Sequence, residues 1–83
     1  MRPVIYHAVQ RFEREVQVRY PEVKLELTEP MGGADAAFRA KFSTPDWYDI
    51  WEQLHDITMD IEEETDVWIS ILPEVPGPAT PAS

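Results

Sequence analysis

Residues 36–72, AAFRAKFSTPDWYDIWEQLHDITMDIEEETDVWISIL, decide the fold of this chain. They predict a strand at 36–42, a long amphipathic helix that ends near residue 64, and a second strand at 66–72. The helix must carry the chain back across the sheet, so the two strands are expected to run parallel. A strand–helix–strand unit is therefore the predicted framework around which the other elements pack.

The start of the long helix has the clearest local signal in the sequence. In Ser43-Thr44-Pro45-Asp46, Thr44 can cap the helix, Pro45 suits the first helical position, and Asp46 is favourable at the positive end of the helix dipole. The residues that follow recur at helical spacing and predict one broad stripe along the helix. That stripe consists of Trp47, Ile50, Trp51, Leu54, Ile57, Thr58 and Ile61.

The opposite face of the same helix carries a row of carboxylates at spacings of three and four residues. We call this row the acidic stripe; it consists of Asp49, Glu52, Asp56, Asp60 and Glu63. Like charges four residues apart on a helix cost roughly 0.2–0.5 kcal/mol per pair, so a helix selected for stability alone would include lysines. Two interpretations remain open. The stripe is a solvated face offset by Arg11 and Arg14 of the first helix, or it is a docking face for a basic partner.

The first half of the chain predicts a helix and a hairpin. Residues 3–19 repeat apolar side chains on one helical face, and Pro21 ends that run. Residues 22–28 and 36–42 alternate apolar and polar side chains, which is typical of half-buried strands. The connecting loop contains Gly32 and Gly33, so an antiparallel hairpin is expected.

The last strand places two large apolar side chains away from the helices. If Val67, Ile69 and Ile71 face the core, then Trp68 and Leu72 lie on the open face of the sheet. A tryptophan in that position is usually covered. We expect either a homodimer formed sheet to sheet or a cover by the chain's own Pro-rich end. Residues 1–73 are predicted to form a single domain and residues 74–83 a Pro-rich disordered tail.

The predicted element order is α-β-β-α-β. We expect an α+β two-layer sandwich, with a three-stranded mixed sheet in the order 2-1-3 and two helices on one face. This order resembles half of a ferredoxin-like fold and the small KH-type RNA-binding domains. The resemblance concerns the fold alone, because the Gly-x-x-Gly phosphate loop of KH domains is absent and Gly32-Gly33 falls in a hairpin.

Charge is divided unequally between the two halves of the chain. Residues 1–42 hold seven basic and six acidic side chains, whereas residues 43–83 hold ten acidic side chains and no Lys or Arg. The net charge of −9 argues against nucleic acid and anionic membranes as direct partners. The chain has no cysteine, no apolar run typical of a signal peptide and no long apolar stretch, which favours a cytoplasmic location.

No catalytic, metal or cofactor signature stands out. Glu52-Gln53-Leu54-His55 matches the Glu-x-x-His pattern of di-iron bundles, but those sites need four helices that project ligands inward. His7 has no Ser or acid at a spacing typical of a triad. We therefore expect no catalytic residues, no metal site and no cofactor.

The sequence predicts a non-catalytic, acidic protein-interaction or regulatory module. It would dock on a basic protein surface through the acidic stripe and form a homodimer, with Trp68 and Leu72 as the dimer or partner face. One alternative is a nucleic-acid mimic that inhibits a DNA- or RNA-binding protein, because carboxylates on one helix face lie about 5–6 Å apart. Another is a small enzyme or ligand carrier with a pocket between the helices and the Gly32-Gly33 loop.

Overall fold

The computed structural model of the chain describes residues 2–30 and 32–75 and has the predicted element order. The elements are α1 (Pro3–Arg19), β1 (Lys24–Thr28), β2 (Ala36–Lys41), α2 (Trp47–Thr65) and β3 (Ile69–Glu74). The α+β class with two helices and a three-stranded mixed sheet is therefore confirmed. Within the described residues, no helix has both the length and the apolar character needed to cross a bilayer.

Both helices cover the same face of the sheet. α1 buries Ile5, Ala8, Val9, Phe12 and Val16. The rings of Phe12 and Phe38 lie 5.2 Å apart between centroids, which joins α1 to the centre of β2. α2 adds Leu54, Ile57 and Ile61 to the same core, together with alternate residues of β2 and β3. One layer of helices on one layer of strands is the predicted sandwich.

The order of strands in the sheet differs from the predicted 2-1-3. The observed order is β1-β2-β3, with β2 in the centre, antiparallel to β1 and parallel to β3. The physical reason is the difference in polarity between the two hairpin strands. β2 is buried on both faces at Ala36, Ala37 and Phe38, as a central strand must be. β1 exposes charged side chains and tolerates an edge better.

The start of α2 also differs from the prediction. The helix begins at Trp47, and its N-cap is Asp46, whose side chain makes no capping hydrogen bond. Thr44 lies two residues before the cap, and its Oγ1 is buried with no hydrogen-bond partner among the described residues. Pro45 and Asp46 form a turn that leads into the helix instead of its first turn. Thr44 is therefore not the capping residue.

β3 begins and ends later than predicted, at Ile69 and Glu74 instead of residues 66 and 72. Pro73 and Glu74 belong to this strand and pair with Ala40 and Lys41 of β2. A proline fits here because β3 is an edge strand, where a residue without an N–H can face away from the ladder. Glu74 is thus part of the domain and not of the tail. Of the predicted tail, residues 76–83 lie outside the described residues.

Asp66 ends α2 in a strained backbone conformation. Its φ of 61° and ψ of 25° are left-handed, a region that suits glycine, and its N–H donates a 2.8 Å hydrogen bond to the carbonyl oxygen of Glu62. Its carboxylate also adds negative charge at the negative end of the helix dipole. Residue 66 therefore combines two unfavourable features.

We predict that Asp66→Gly raises the free energy of unfolding by about 0.5–1 kcal/mol, because glycine adopts this conformation without a Cβ penalty. Urea denaturation followed by circular dichroism measures the change. Asp66→Asn is the matched control, since it removes the charge and keeps the Cβ. A lower free energy of unfolding in the glycine variant would contradict this account of the helix end.

Candidate functional site

The acidic stripe lies entirely on the exposed surface of α2. All five of its side chains are exposed, whereas Leu54, Ile57 and Ile61 on the other side of the helix are buried. Among the described residues, no ion pair involves any member of the stripe. The five carboxylates therefore face solvent without compensating positive charge.

Arg11 makes an ion pair that joins the two helices, but it does not reach the acidic stripe. Its guanidinium donates hydrogen bonds to Glu15, at 3.0 Å, and to Glu64. The hydrogen bond to Glu15 and, to a smaller extent, the one to Glu64 hold the pKa of Arg11 above its ordinary value. Glu64 lies on α2 outside the stripe, and Arg14 is exposed without an ion pair among the described residues. Among the described residues, therefore, neither Arg11 nor Arg14 pairs with the acidic stripe.

A row of aromatic rings runs beside the acidic stripe. Its members are Phe42, Trp47, Tyr48, Trp51 and His55. Successive ring centroids lie 6.0, 5.6, 5.7 and 4.5 Å apart along this order. The sequence did carry a signal for it, since Trp47, Trp51 and His55 recur every four residues and so lie on one helix face.

An open depression lies where the aromatic row meets the acidic stripe. Its volume is about 390 Å³, and its lining consists of Trp51, Glu52, Gln53, His55 and Asp56. Trp51 Nε1 and His55 Nε2 are buried beside it with no hydrogen-bond partner among the described residues. Two carboxylates and an aromatic wall thus share one surface, a combination that sequence reasoning did not identify.

Trp68 and Leu72 lie on the open face of the sheet, as the alternation predicted. Their exposed fractions are 45% and 46%. The backbone of Trp68 is held by Asp35: the Trp68 N–H donates to Asp35 Oδ2, and the Asp35 N–H donates to the Trp68 carbonyl oxygen, both at 2.9 Å. The Trp68 ring lies over Gly33, with a carbon 3.8 Å from the position that a Cβ of residue 33 would occupy. The hairpin loop therefore shields part of this tryptophan.

Charged side chains occupy the end of the open face that lies beside Lys24 and Glu74. Arg39 lies 2.9 Å from Glu26 and 3.9 Å from Glu74, and Lys41 lies 4.0 Å from Glu74. This network crosses all three strands, and within it Glu26 lies directly opposite Arg39 in the β1–β2 register. Trp68 and Leu72 thus add exposed apolar surface beside this charged network.

Two features of the described residues bear on the Glu-x-x-His motif and on the pocket expected near Gly32-Gly33. No three His, Asp or Glu side chains of residues 2–30 and 32–75 are grouped closely enough to hold a metal ion. Two depressions lie on α2 and on the open face of the sheet beside β1. Neither is lined by α1 or by the hairpin loop.

Comparison with protein-family models, with curated proteins and with solved structures found no match to this chain.

We predict that Asp56→Lys stabilises the protein at low salt by about 1 kcal/mol. The substitution replaces two repulsive pairs, with Glu52 and Asp60, by two attractive ones, and each pair is worth roughly 0.2–0.5 kcal/mol. Urea denaturation at low ionic strength measures the gain.

Salt provides the internal control for this prediction. At about 1 M salt the Debye length falls to about 3 Å, so the difference between Asp56→Lys and the parent should largely disappear. A variant that is less stable than the parent at low salt would mean that Asp56 has a favourable partner.

Proposed function

We propose that the chain is a non-catalytic protein-interaction or regulatory module that docks on a basic protein surface through the acidic stripe of α2. One observation carries the proposal: the five carboxylates are exposed, and no ion pair among the described residues neutralises them. Long-range fields of one sign steer oppositely charged partners and raise their association rates.

The energetics of α2 support a role beyond solubility. Like charges at Glu52, Asp56 and Asp60 follow one another at four-residue spacing, which destabilises a helix. Glu62, Glu63 and Glu64 place further negative charge in its last turn, against the dipole. A small domain has little stability to spare, so a helix with this charge pattern is better explained by binding than by folding.

The depression on α2 supports a specific contact within the docking surface. It combines the carboxylates of Glu52 and Asp56 with the side chain of Trp51. A lysine or arginine of the partner could place its charge between the carboxylates and its stem or guanidinium against the aromatic ring. The proposed partner therefore presents at least one protruding basic side chain.

A homodimer in the cytoplasm is the proposed state of the module. Trp68 and Leu72 are the sheet-face candidates for contact with a second copy or with the partner. Two half-exposed side chains supply much less than the roughly 800 Å² per partner that a stable interface buries. A dimer therefore needs a further surface.

We predict that the triple substitution Asp49→Lys, Asp56→Lys and Asp60→Lys abolishes capture of basic proteins by the immobilised chain. Capture by the parent should weaken steeply between about 0.1 M and about 1 M salt, where the Debye length falls from about 10 to about 3 Å. Pull-down from cell extract at both salt concentrations, with quantitative mass spectrometry, measures both effects.

The matched control changes the net charge by the same amount elsewhere. Glu13, Glu22 and Glu29 are at least partly exposed acidic residues outside α2 that make no ion pair among the described residues, and all three can be replaced by lysine. Capture should survive in this variant. Equal loss in both variants would show that net charge alone drives capture, and capture that ignores salt would refute docking through the stripe.

A nucleic-acid mimic is the second candidate, and the unpaired row of carboxylates along α2 favours it. Such a row resembles a single line of phosphates, with adjacent charges about 5–6 Å apart. Mimicry requires that the chain and a nucleic acid exclude each other on a captured partner. Competition with a DNA or RNA duplex therefore separates the two functions: simple docking tolerates the duplex, whereas a mimic is displaced by it.

A further inference from the structure

β1 forms an edge of the sheet that nothing covers within the described residues. Its backbone pairs with β2 on one side, and no other backbone hydrogen bond from residues 24–28 is present in the described part of the chain. The strand contains neither a proline nor a bulge. The opposite edge, β3, includes Pro73, which blunts it. β1 is thus the edge able to accept another strand.

The side chains of β1 divide between the two faces of this edge. Leu25 and Leu27 lie on the helix face, opposite Ala40 and Phe38 of β2. Leu27 is 47% exposed, although it borders the core. Both leucines would gain cover from a strand added beside them.

Lys24 and Glu26 lie on the open face of the same edge. Lys24 makes no ion pair within the described residues, and its cross-strand neighbour is Lys41, which carries the same charge. Like charges directly opposite each other on a sheet are unfavourable. A carboxylate supplied from outside the chain would therefore relieve a local imbalance at Lys24.

We propose that the β1 edge pairs antiparallel with β1 of a second copy, so that two three-stranded sheets join into one continuous sheet. A two-fold axis perpendicular to the sheet places one residue of β1 opposite its own copy. An axis at Lys24 or Glu26 would set like charges opposite each other. An axis at Leu27 would create no charge pair on the edge.

An axis at Leu25 gives both charged side chains of the edge a partner of opposite sign. Lys24 then lies opposite Glu26 of the second copy, and Glu26 lies opposite its Lys24, so that two opposite-charge pairs form. Leu25 lies against its own copy on the helix face. The helices of both copies remain on the same side of the joined sheet.

The distribution of charge over the fold agrees with this arrangement. α2, with its acidic stripe, contacts α1 and β3, and β3 is the strand farthest from the β1 edge. The β1 edge belongs to residues 1–42, in which basic and acidic side chains nearly balance. Joining at β1 keeps the two acidic helices apart and limits their repulsion.

The inference rests on the proposed homodimer, for which it names a surface other than Trp68 and Leu72. It does not depend on docking through the acidic stripe.

We expect the full chain in sedimentation equilibrium to have a mass approaching twice its 9.6 kDa at high micromolar concentration. Lys24→Glu or Glu26→Lys should each raise the dimer Kd by about tenfold or more, because two like-charge pairs replace two opposite ones.

An equal mixture of these two variants is the decisive test. The Lys24→Glu chain presents two carboxylates at its edge and the Glu26→Lys chain presents two ammonium groups, so a mixed dimer regains both opposite-charge pairs. The mixture should return to nearly the dimer Kd of the parent. Because an unfolded chain could not be rescued in this way, restoration also shows that both variants fold.

Matched controls carry the same charge changes away from the edge. Arg14→Glu and Glu62→Lys alter exposed side chains on α1 and α2 and should leave the dimer intact. Trp68→Lys should also leave it intact.

Three results would overturn the proposal. The first is a mass near 9.6 kDa for the parent at high micromolar concentration, which excludes the dimer and leaves docking through the acidic stripe to be judged by its own test. The second is a mixture that associates no better than either variant alone. The third is a dimer that Trp68→Lys dissociates and the edge variants do not, which would assign the interface to the open sheet face.

Discussion

The parallel pairing of β2 with β3 is the constraint on which the rest of this structure depends. It places Phe38 beside Ile71 and Ala36 beside Ile69, and it requires α2 to cross the helix face between the two strands. Once Leu54, Ile57 and Ile61 are buried against that face, the carboxylates on the other side of α2 have only solvent to face. The same pairing directs Trp68 and Leu72 to the open face and leaves β1 at the edge.

Periodicity was enough to predict the elements and their faces. Apolar spacing gave α1 its bounds and α2 its buried and acidic sides, and alternation placed Trp68 and Leu72 on the open face of the sheet. The strand order was wrong because alternation describes one strand at a time and does not say which neighbour it takes. The better guide was composition, since a strand with Ala36, Ala37 and Phe38 can be buried on both sides and β1 cannot.

The contacts that complete the candidate surfaces lie beyond what local pattern can predict. Arg11 meets Glu64 across 53 residues, and Asp35 holds the backbone of Trp68 across 33. Both depend on how the helices and the hairpin loop settle against one another, which spacing along the chain does not encode. The aromatic row is an intermediate case: its four-residue repeat was visible in the sequence, but the depression beside Glu52 and Asp56 required the three-dimensional arrangement.

The unpaired negative charge and the free strand edge lie near opposite edges of the sheet. α2 collects unpaired negative charge on the β3 side, whereas the β1 edge carries one charge of each sign and two incompletely covered leucines. A surface of one sign repels its own copy and attracts a basic partner, and an edge with alternating signs can pair with itself. The two surfaces therefore suit different binding partners. Because they lie near opposite edges of the sheet, a partner bound at one surface leaves the other accessible. A dimer joined at β1 would present two acidic helices to one extended basic surface, which strengthens binding through effective concentration without any new contact.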